Sequence, residues 1–396
     1  MTTAVVDIVN FNADASCLSS RRWLEALSNG EKSQLCAWLN GYVETESKVT
    51  LGFIGGTLAD ISVLNHEAID LINAHADIFE IIIRPFSHDI ALTRTDLGFR
   101  KNFELGSVAI RREFSNIVDW YLPPEFMLTN RQLSALPELG VDGVFINSGR
   151  YEPEIQRRLS PTPYILTGVG GIQVPCIPFE SSLTPAFLRS IQELSEDVWL
   201  DCLSATHNPV SYLWRDGESA FLIPDGVERE RSWLNLSRKY QRVGLSAAIK
   251  ATSFIQSEDL PSDAYRSYPV HSFAAWMKEF RMIGYLRNLE KFEQMLGGLS
   301  AVEQVVWLQA INSDVLSAVE KGSPTVRLKS MPCIGSVDHY FDYKIWRTER
   351  GFEGEDCLQI LDQFDSAQTQ AYLRTGSASH LLKIRARLTY LGIEGF

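Results

Sequence analysis

VDWYLPPEF, Val118 to Phe126, sets a short apolar run against two prolines and ends on a carboxylate, Glu125. Pro123 and Pro124 have no N–H to donate to a sheet ladder, so a strand through Trp120 and Tyr121 stops there. Glu125 then stands at a strand's carboxyl end, where parallel α/β barrels place their chemistry. The plain alternative is a solvated glutamate in a proline-bounded turn, since surface Glu is common.

The flanking sequence repeats the strand-then-helix pattern. Ala4 to Phe11, AVVDIVNF, reads as a buried strand running into the polar Asn12, Asp14 and Ser16. Trp23 to Tyr42 has a helical apolar period, Val49 to Phe53 is a second short strand closed by Gly55 and Gly56, and Asp60 to Ala76 is helical. Ile78 to Leu92, IFEIIIRPFSHDIAL, holds an inner strand with Glu80 inside it and His88 and Asp89 beyond it. A carboxylate in such a run needs a partner, and Arg84 is the candidate. Gly106 to Ile117 and Asn130 to Leu139 read as helices, Val141 to Ile146 as a strand, Pro163 to Gly171 and Ile172 to Pro178 as two short strands, and Thr184 to Leu194 as a helix. DVWLDCLSATHN, Asp197 to Asn208, reads as a strand ending in Asp201 and then His207. Strand alternating with helix argues for a parallel α/β architecture. After about residue 265 the amphipathic runs His271 to Leu296 and Ala301 to Lys321, and the tail Ala367 to Tyr390, are helical instead.

With 396 residues, 45% of them apolar, the chain has material for a barrel of about 250 residues and a further region. A net charge of −12 argues against a nucleic-acid partner, whose binding rests on Lys and Arg contacts to phosphate. The six cysteines, Cys17, Cys36, Cys176, Cys202, Cys333 and Cys357, form no CxxC pair and read as reduced thiols. The N-terminus lacks a secretory pattern and no apolar run reaches membrane-spanning length, so no membrane partner and a cytoplasmic location are expected. No Walker loop, GxSxG or GxGxxG occurs, GVGGIQ at Gly168 having the wrong spacing, and no cofactor is expected.

Several of these segments, taken in order, resemble glycoside hydrolase family 57, the retaining amylase and 4-α-glucanotransferase family. FEIIIRPFSHDIAL resembles its strand with an active-site Glu and a Pro-aromatic-x-His turn, at Glu80, Pro85, Phe86 and His88. WYLPPEF resembles the W-L-P-E segment of the nucleophile, at Glu125, and VWLDCLSATHN the strand of the general acid/base, at Asp201. VVWLQAINSDVLSAV resembles a helix of the family's amylases, at Trp307, Gln309, Ser313 and Asp314, and VDHYF near Asp338 a segment that follows it. The resemblance implies a distorted parallel (β/α)7 barrel over residues 1–265, with a mainly helical C-terminal region, 266–396, packed on the barrel face.

Two departures stand out. The family's first strand ends in His-Gln-Pro, where this chain reads Asn12-Ala13-Asp14. The family's acid Asp is followed two residues on by a second carboxylate and by a Gly in the turn, whereas Asp201 is followed by Leu203, Ala205 and Thr206. The implied chemistry is a retaining two-carboxylate mechanism on an α-glycosidic bond, with carboxyls roughly 5–5.5 Å apart. Glu125 is the implied nucleophile and Asp201 the implied acid/base. Glu80, His88, His207, Asn12, Asp14 and Asp314 are implied contacts to a carbohydrate substrate. Trp120, Trp214 and Trp307 are candidate stacking platforms, with core packing the alternative for each.

Two other classes remain open. One is a metal-dependent carbohydrate deacetylase recruiting Asp14, His88 and His207, although no HxH or HxxxH occurs and no metal is expected. The other is a non-hydrolytic sugar-binding relative of the family.

Overall fold

A computed structural model describes residues 4–13, 20–147, 163–179, 183–195, 197, 199 and 210–257, together with scattered positions between 286 and 313. Among these residues one nine-stranded sheet organises the chain, in the order β8-β1-β2-β3-β4-β5-β7-β6-β9. The strands are β1 (Ala4–Phe11), β2 (Val49–Phe53), β3 (Phe79–Ile83), β4 (Ile117–Tyr121), β5 (Gly143–Asn147), β6 (Tyr164–Thr167), β7 (Gln173–Phe179), β8 (Val210–Asp216) and β9 (Ile255–Ser257). The seven from β8 to β7 pair in parallel throughout. β7 also lies beside β8, though no ladder joins them among the described residues, so the seven strands curve into a distorted (β/α)7 barrel left open at one seam. β6 runs antiparallel to β7 and carries β9, extending the sheet past that seam.

Side-chain alternation sorts the strands into two faces. Val6, Ile8, Ile82, Val118, Trp120, Leu122, Phe145, Ile177 and Tyr212 meet in one cluster that fills the barrel. Val9, Phe11, Leu51, Phe53, Ile81 and Ile83 point the other way, onto the surrounding helices. Leu245 and Ala248 of the helix Leu245–Ala251 join the inner cluster and close the barrel at the strands' amino ends.

The expected strands Ala4–Phe11 and Val49–Phe53 are found with those bounds, but several helices differ. The single helix expected from Trp23 to Tyr42 is two, α1 (Ser20–Leu27) and α2 (Gln34–Glu44), because Asn29 and Gly30 adopt left-handed φ of 80° and 57° between them. The helix expected from Asp60 is α3 (Gly55–Leu64) followed by α4 (His66–Ala74). Gly55 and Gly56 start α3 instead of closing β2, donating backbone N–H to Pro85 and Phe86 carbonyls at 3.0 and 2.8 Å. α5 (Asp96–Glu113) begins ten residues before the expected Gly106, where the Thr95 hydroxyl accepts from Gly98 N. α6 (Asn130–Ala135) opens on a Thr129/Gln132 capping box and gives way to a short turn at Pro137.

The largest correction concerns the strand expected at Asp197 to Asn208. Asp197 and Trp199 are helical, and Trp199 is buried edge-on against Phe187 and Trp233. The strand that pairs with β1 is β8, which ends at Asp216. Asp201 and His207 lie outside the described residues.

Gly106 shows how tightly the helices seat. A Cβ there would stand 2.3 Å from the Arg84 carbonyl oxygen and the Pro85 carbonyl carbon, so α5 touches the backbone leaving β3. Gly106→Ala should lower the unfolding free energy by about 1–3 kcal/mol, read as a lower urea midpoint at constant m. Gly297→Ala, with nothing within 4 Å of a Cβ, is the control and should change stability by less than about 0.5 kcal/mol.

Candidate active site

The carboxyl ends of β1, β3, β4 and β8 bring one polar cluster together at the open mouth. The register places Asn10 beside Asp216, both on the face that carries Val6, Ile8 and Tyr212 deeper in the barrel. Beyond β8 the chain turns at Gly217, whose N–H donates to the Asn10 carbonyl at 2.8 Å. A Cβ at Gly217 would lie 2.4 Å from the Phe11 ring, so only glycine lets this turn close on β1. Asp216 and Glu218 flank that glycine and converge on Asn12. The Asn12 Nδ2 donates to Asp216 Oδ1 at 3.2 Å, and the backbone N–H groups of Asn12 and Ala13 both donate to Glu218 Oε1.

Arg84, just past β3, lies buried between these groups and β4. Its Nη1 donates to the Leu122 carbonyl at 2.6 Å and its Nη2 to Asn12 Oδ1 at 2.6 Å. Its stem runs beside Gly52, where a Cβ would stand 3.5 Å from Arg84 Cδ, at ordinary contact distance. Three buried polar atoms of the cluster, Asn10 Oδ1, Arg84 Nε and Glu218 Oε2, have no hydrogen-bond partner among the described residues. Trp214 and Phe126, edge to face at 5.1 Å, form an apolar surface alongside.

Electrostatics separate the carboxyls. Asp216 is exposed at the mouth, but the walls of the crevice strip it of hydration and raise it to about 6, against the lowering pull of Asn10 and Arg84. Burial raises Glu218 to about 8, and the charge of Asp216 pushes the same way. Burial lowers Arg84 to about 10, offset in part by Tyr121, Asp216, Glu218 and Glu125, so it remains a cation at neutral pH.

Glu125 is half-buried and takes a left-handed φ of 52°, followed by Phe126 at 55°. In a W-L-P-E segment the glutamate directly follows the proline. Here Glu125 likewise follows a proline, Pro124, with Pro123 before it, and the left-handed pair at Glu125 and Phe126 is of a kind that side chains disfavour.

No family model matches the sequence, and no curated protein is similar to it. Solved structures are similar in fold. The branching enzyme from Pyrococcus horikoshii, described as GH57-type, superposes with a TM-score of 0.66 at 10% identity, over 93% of this chain and 95% of that one. The alpha-amylase from Thermotoga maritima gives 0.60 at 12% identity over 93% and 97%. The 4-alpha-glucanotransferase from Thermococcus litoralis gives 0.63 at 13% identity, and the match covers 80% of this chain but only 56% of that one. The fold is of the GH57 type.

Within this GH57-type fold the residues singled out from sequence separate. Asn12 and Glu125 are at the mouth. Glu80 is at the other end of its strand, accepting from the Ser246 N–H at 3.2 Å on the first turn of the helix Leu245–Ala251. The expected Glu80–Arg84 pair does not form, because four residues of strand span about 13 Å. Trp120 is packed inside the barrel against Phe145 and Phe254, and its ring covers Gly143. Trp307 is fully buried with its Nε1 donating to Glu293 at 3.3 Å, so neither ring is an exposed platform. His88 is buried with Nδ1 2.8 Å from Ser313 Oγ, on the loop between β3 and α5. Asp14 and Asp314, like Asp201 and His207, lie outside the described residues. Among the described residues no group of three His, Cys, Asp or Glu is placed to hold a metal ion, and no helix is long and apolar enough to cross a membrane.

Sequence reading passed over Asp216 and Glu218, although the signal was present. Asp216-Gly217-Glu218 carries the second carboxylate two residues on that Asp201 lacks, although Ala220 and Phe221 stand where the later turn glycine is expected.

The raised carboxyls set a pH dependence. The folded chain keeps protons on Asp216 and Glu218 that the unfolded chain loses near pH 4, so their contribution is full below about pH 4 and is lost as pH rises through 6 and 8. Asp89, raised to about 7 chiefly by burial, adds to the same slope. Glu218→Gln should therefore flatten the fall of Tm between pH 5 and pH 9 without abolishing it. A curve superposing on the parent's would show that Glu218 does not titrate in this range.

Proposed function

We propose that this protein is a carbohydrate-active enzyme that cleaves or transfers an α-glycosidic bond by a retaining two-carboxylate mechanism, with Glu125 as nucleophile and Asp216 as acid/base. The observation that carries this reading is the mouth cluster. Two carboxyl groups at the carboxyl ends of different strands lie near one buried cation, and beside them Asn10 Oδ1, Glu218 Oε2 and Arg84 Nε have no hydrogen-bond partner among the described residues. Sugar hydroxyls both donate and accept, and so complement such a mixed set. The similarity in fold to GH57 enzymes supports the same class.

The chemistry follows from the environments. Glu125, within range of the Arg84 charge, attacks the anomeric carbon as the bond to the leaving oxygen breaks. Asp216, raised to about 6, holds a proton in a useful fraction of molecules near neutral pH and gives it to that oxygen. As a carboxylate it then takes a proton from water, or from an acceptor sugar hydroxyl, as that oxygen displaces Glu125. Residues 266–396 would roof the mouth, a role supported by the Ser87 Oγ bond to the Leu308 carbonyl and by the Asp89–Asn312 bridge.

One observation favours a second reading, a non-hydrolytic sugar-binding relative: Asn12-Ala13-Asp14 stands where the family's first strand ends in His-Gln-Pro.

Steady-state kinetics on 4-nitrophenyl α-maltooligosaccharides and on unmodified maltooligosaccharides separate the two. Glu125→Gln should lower kcat by at least about a thousandfold on both with the fold intact. Asp216→Asn should be impaired far more on the unmodified sugar, whose leaving group needs the proton, and Asp201→Asn should lose less than Asp216→Asn does. Full activity in Glu125→Gln, or sugar binding without turnover in the parent, would establish the binding-protein reading instead.

A further inference from the structure

Hydrogen bonds run from one proposed catalytic turn to the other through two side chains. The Leu122 carbonyl, three residues before Glu125, accepts from Arg84 Nη1; Arg84 Nη2 donates to Asn12 Oδ1; and Asn12 Nδ2 donates to Asp216 Oδ1. The same asparagine's backbone N–H donates to Glu218 Oε1, so one residue of β1's exit turn touches both carboxyls after β8. Arg84 is 1% exposed and its two Nη groups bond to acceptors on different turns, so the guanidinium is held in place.

We propose that Arg84 and Asn12 form a positioning bridge that fixes the turn carrying Glu125 relative to the turn carrying Asp216, and presents one buried positive charge to both carboxyls. This rests on the two-carboxylate reading above. Asn12 touches the proposed acid/base itself, through its bond to Asp216 Oδ1, while Arg84 reaches the turn of Glu125 through the Leu122 carbonyl. Arg84 acts on Glu125 and on Asp216 by opposite charge, and Asn12 adds a neutral donor to Asp216. The planar fork suits Arg84 to two acceptors on different turns, and lysine, a point charge, cannot span both.

The test uses the full chain and the 4-nitrophenyl α-maltooligosaccharides, read as pH profiles of kcat/KM. Arg84→Gln should lower kcat at least about a hundredfold with KM changed less than about threefold, and should move the acid limb up by about one pH unit as Glu125 loses its cation. Arg84→Lys keeps the charge and should leave the acid limb in place while losing about tenfold in kcat. Added guanidinium should restore part of the activity of Arg84→Gln. Should Arg84→Gln fail to fold, Asn12→Asp decides: its carboxylate still accepts from Arg84 but faces Asp216 with like charge, and should move the basic limb up by at least about half a unit. Carbon-13 carboxyl titration of the parent and of Asn12→Asp reads the same bridge without turnover. A parent inactive on every sugar but with a raised Asp216 titration in Asn12→Asp would overturn the enzyme reading and keep the bridge. An active parent whose limbs and Asp216 titration are unmoved in both variants would overturn the bridge and keep the enzyme.

Discussion

The pairing of β1 with β8 depends on one buried guanidinium. Arg215 lies on the outer face of β8, donating to both oxygens of Asp7 on β1 at 3.2 and 3.5 Å, and to Glu230 and Tyr42 on the helices behind. Its planar group stacks on Phe187 at 4.6 Å. Taking three charges out of water is costly, but Arg215 Nε and Nη2, both Asp7 oxygens and Glu230 Oε1 all have partners, and removing one charge would leave another buried and unpaired at a cost of about 3–5 kcal/mol. Side chains alternate, so locking Arg215 outward against Asp7 obliges Asp216 to face inward beside Asn10. A slip of one residue would reverse both. The mouth chemistry is thus set by an ion pair on the opposite side of the sheet.

The same economy of position appears where the chain packs closest. Gly217 lies against Phe11, and Gly98 against the Glu293 carboxylate, which meets Arg94 in a second fully buried ion pair and accepts from Thr95 N and Oγ1 at 2.8 and 2.7 Å. Glu293 and Trp307 belong to the distal part of the chain, and Arg94 and Thr95 to the segment leaving β3. That buried pair, with the His88–Ser313 contact, ties the two parts together at the carboxyl face of the barrel.

Much of the barrel was legible because its strands are short apolar runs bounded by polar residues or prolines, as at Ala4–Phe11 and before Pro123. β8 was not, because Ser211 and Arg215 interrupt its apolar pattern, and Arg215 can be buried only through Asp7 and Glu230, distant in sequence. The reading therefore moved to the more apolar Val198–Leu203 and took Asp201 with it. Glu80 misled for a different reason. A carboxylate inside a strand looks the same in sequence whether it lies near the mouth or the floor, and only the packing of Leu245–Ala251 against the amino ends decides. The left-handed turn at Glu125 and Phe126 was equally hidden, since neither residue type favours it.

The helix Leu245–Ala251, fastened by Glu80, makes the barrel a blind cup rather than a tube. Its interior is filled by Ile8, Ile82, Trp120 and Phe145, and its base is stoppered, so nothing can thread from one end to the other. On the proposed reading, a sugar chain reaching Asp216 would lie across the rim, entering and leaving sideways, and the length accommodated would be a property of the rim loops and not of the barrel beneath them.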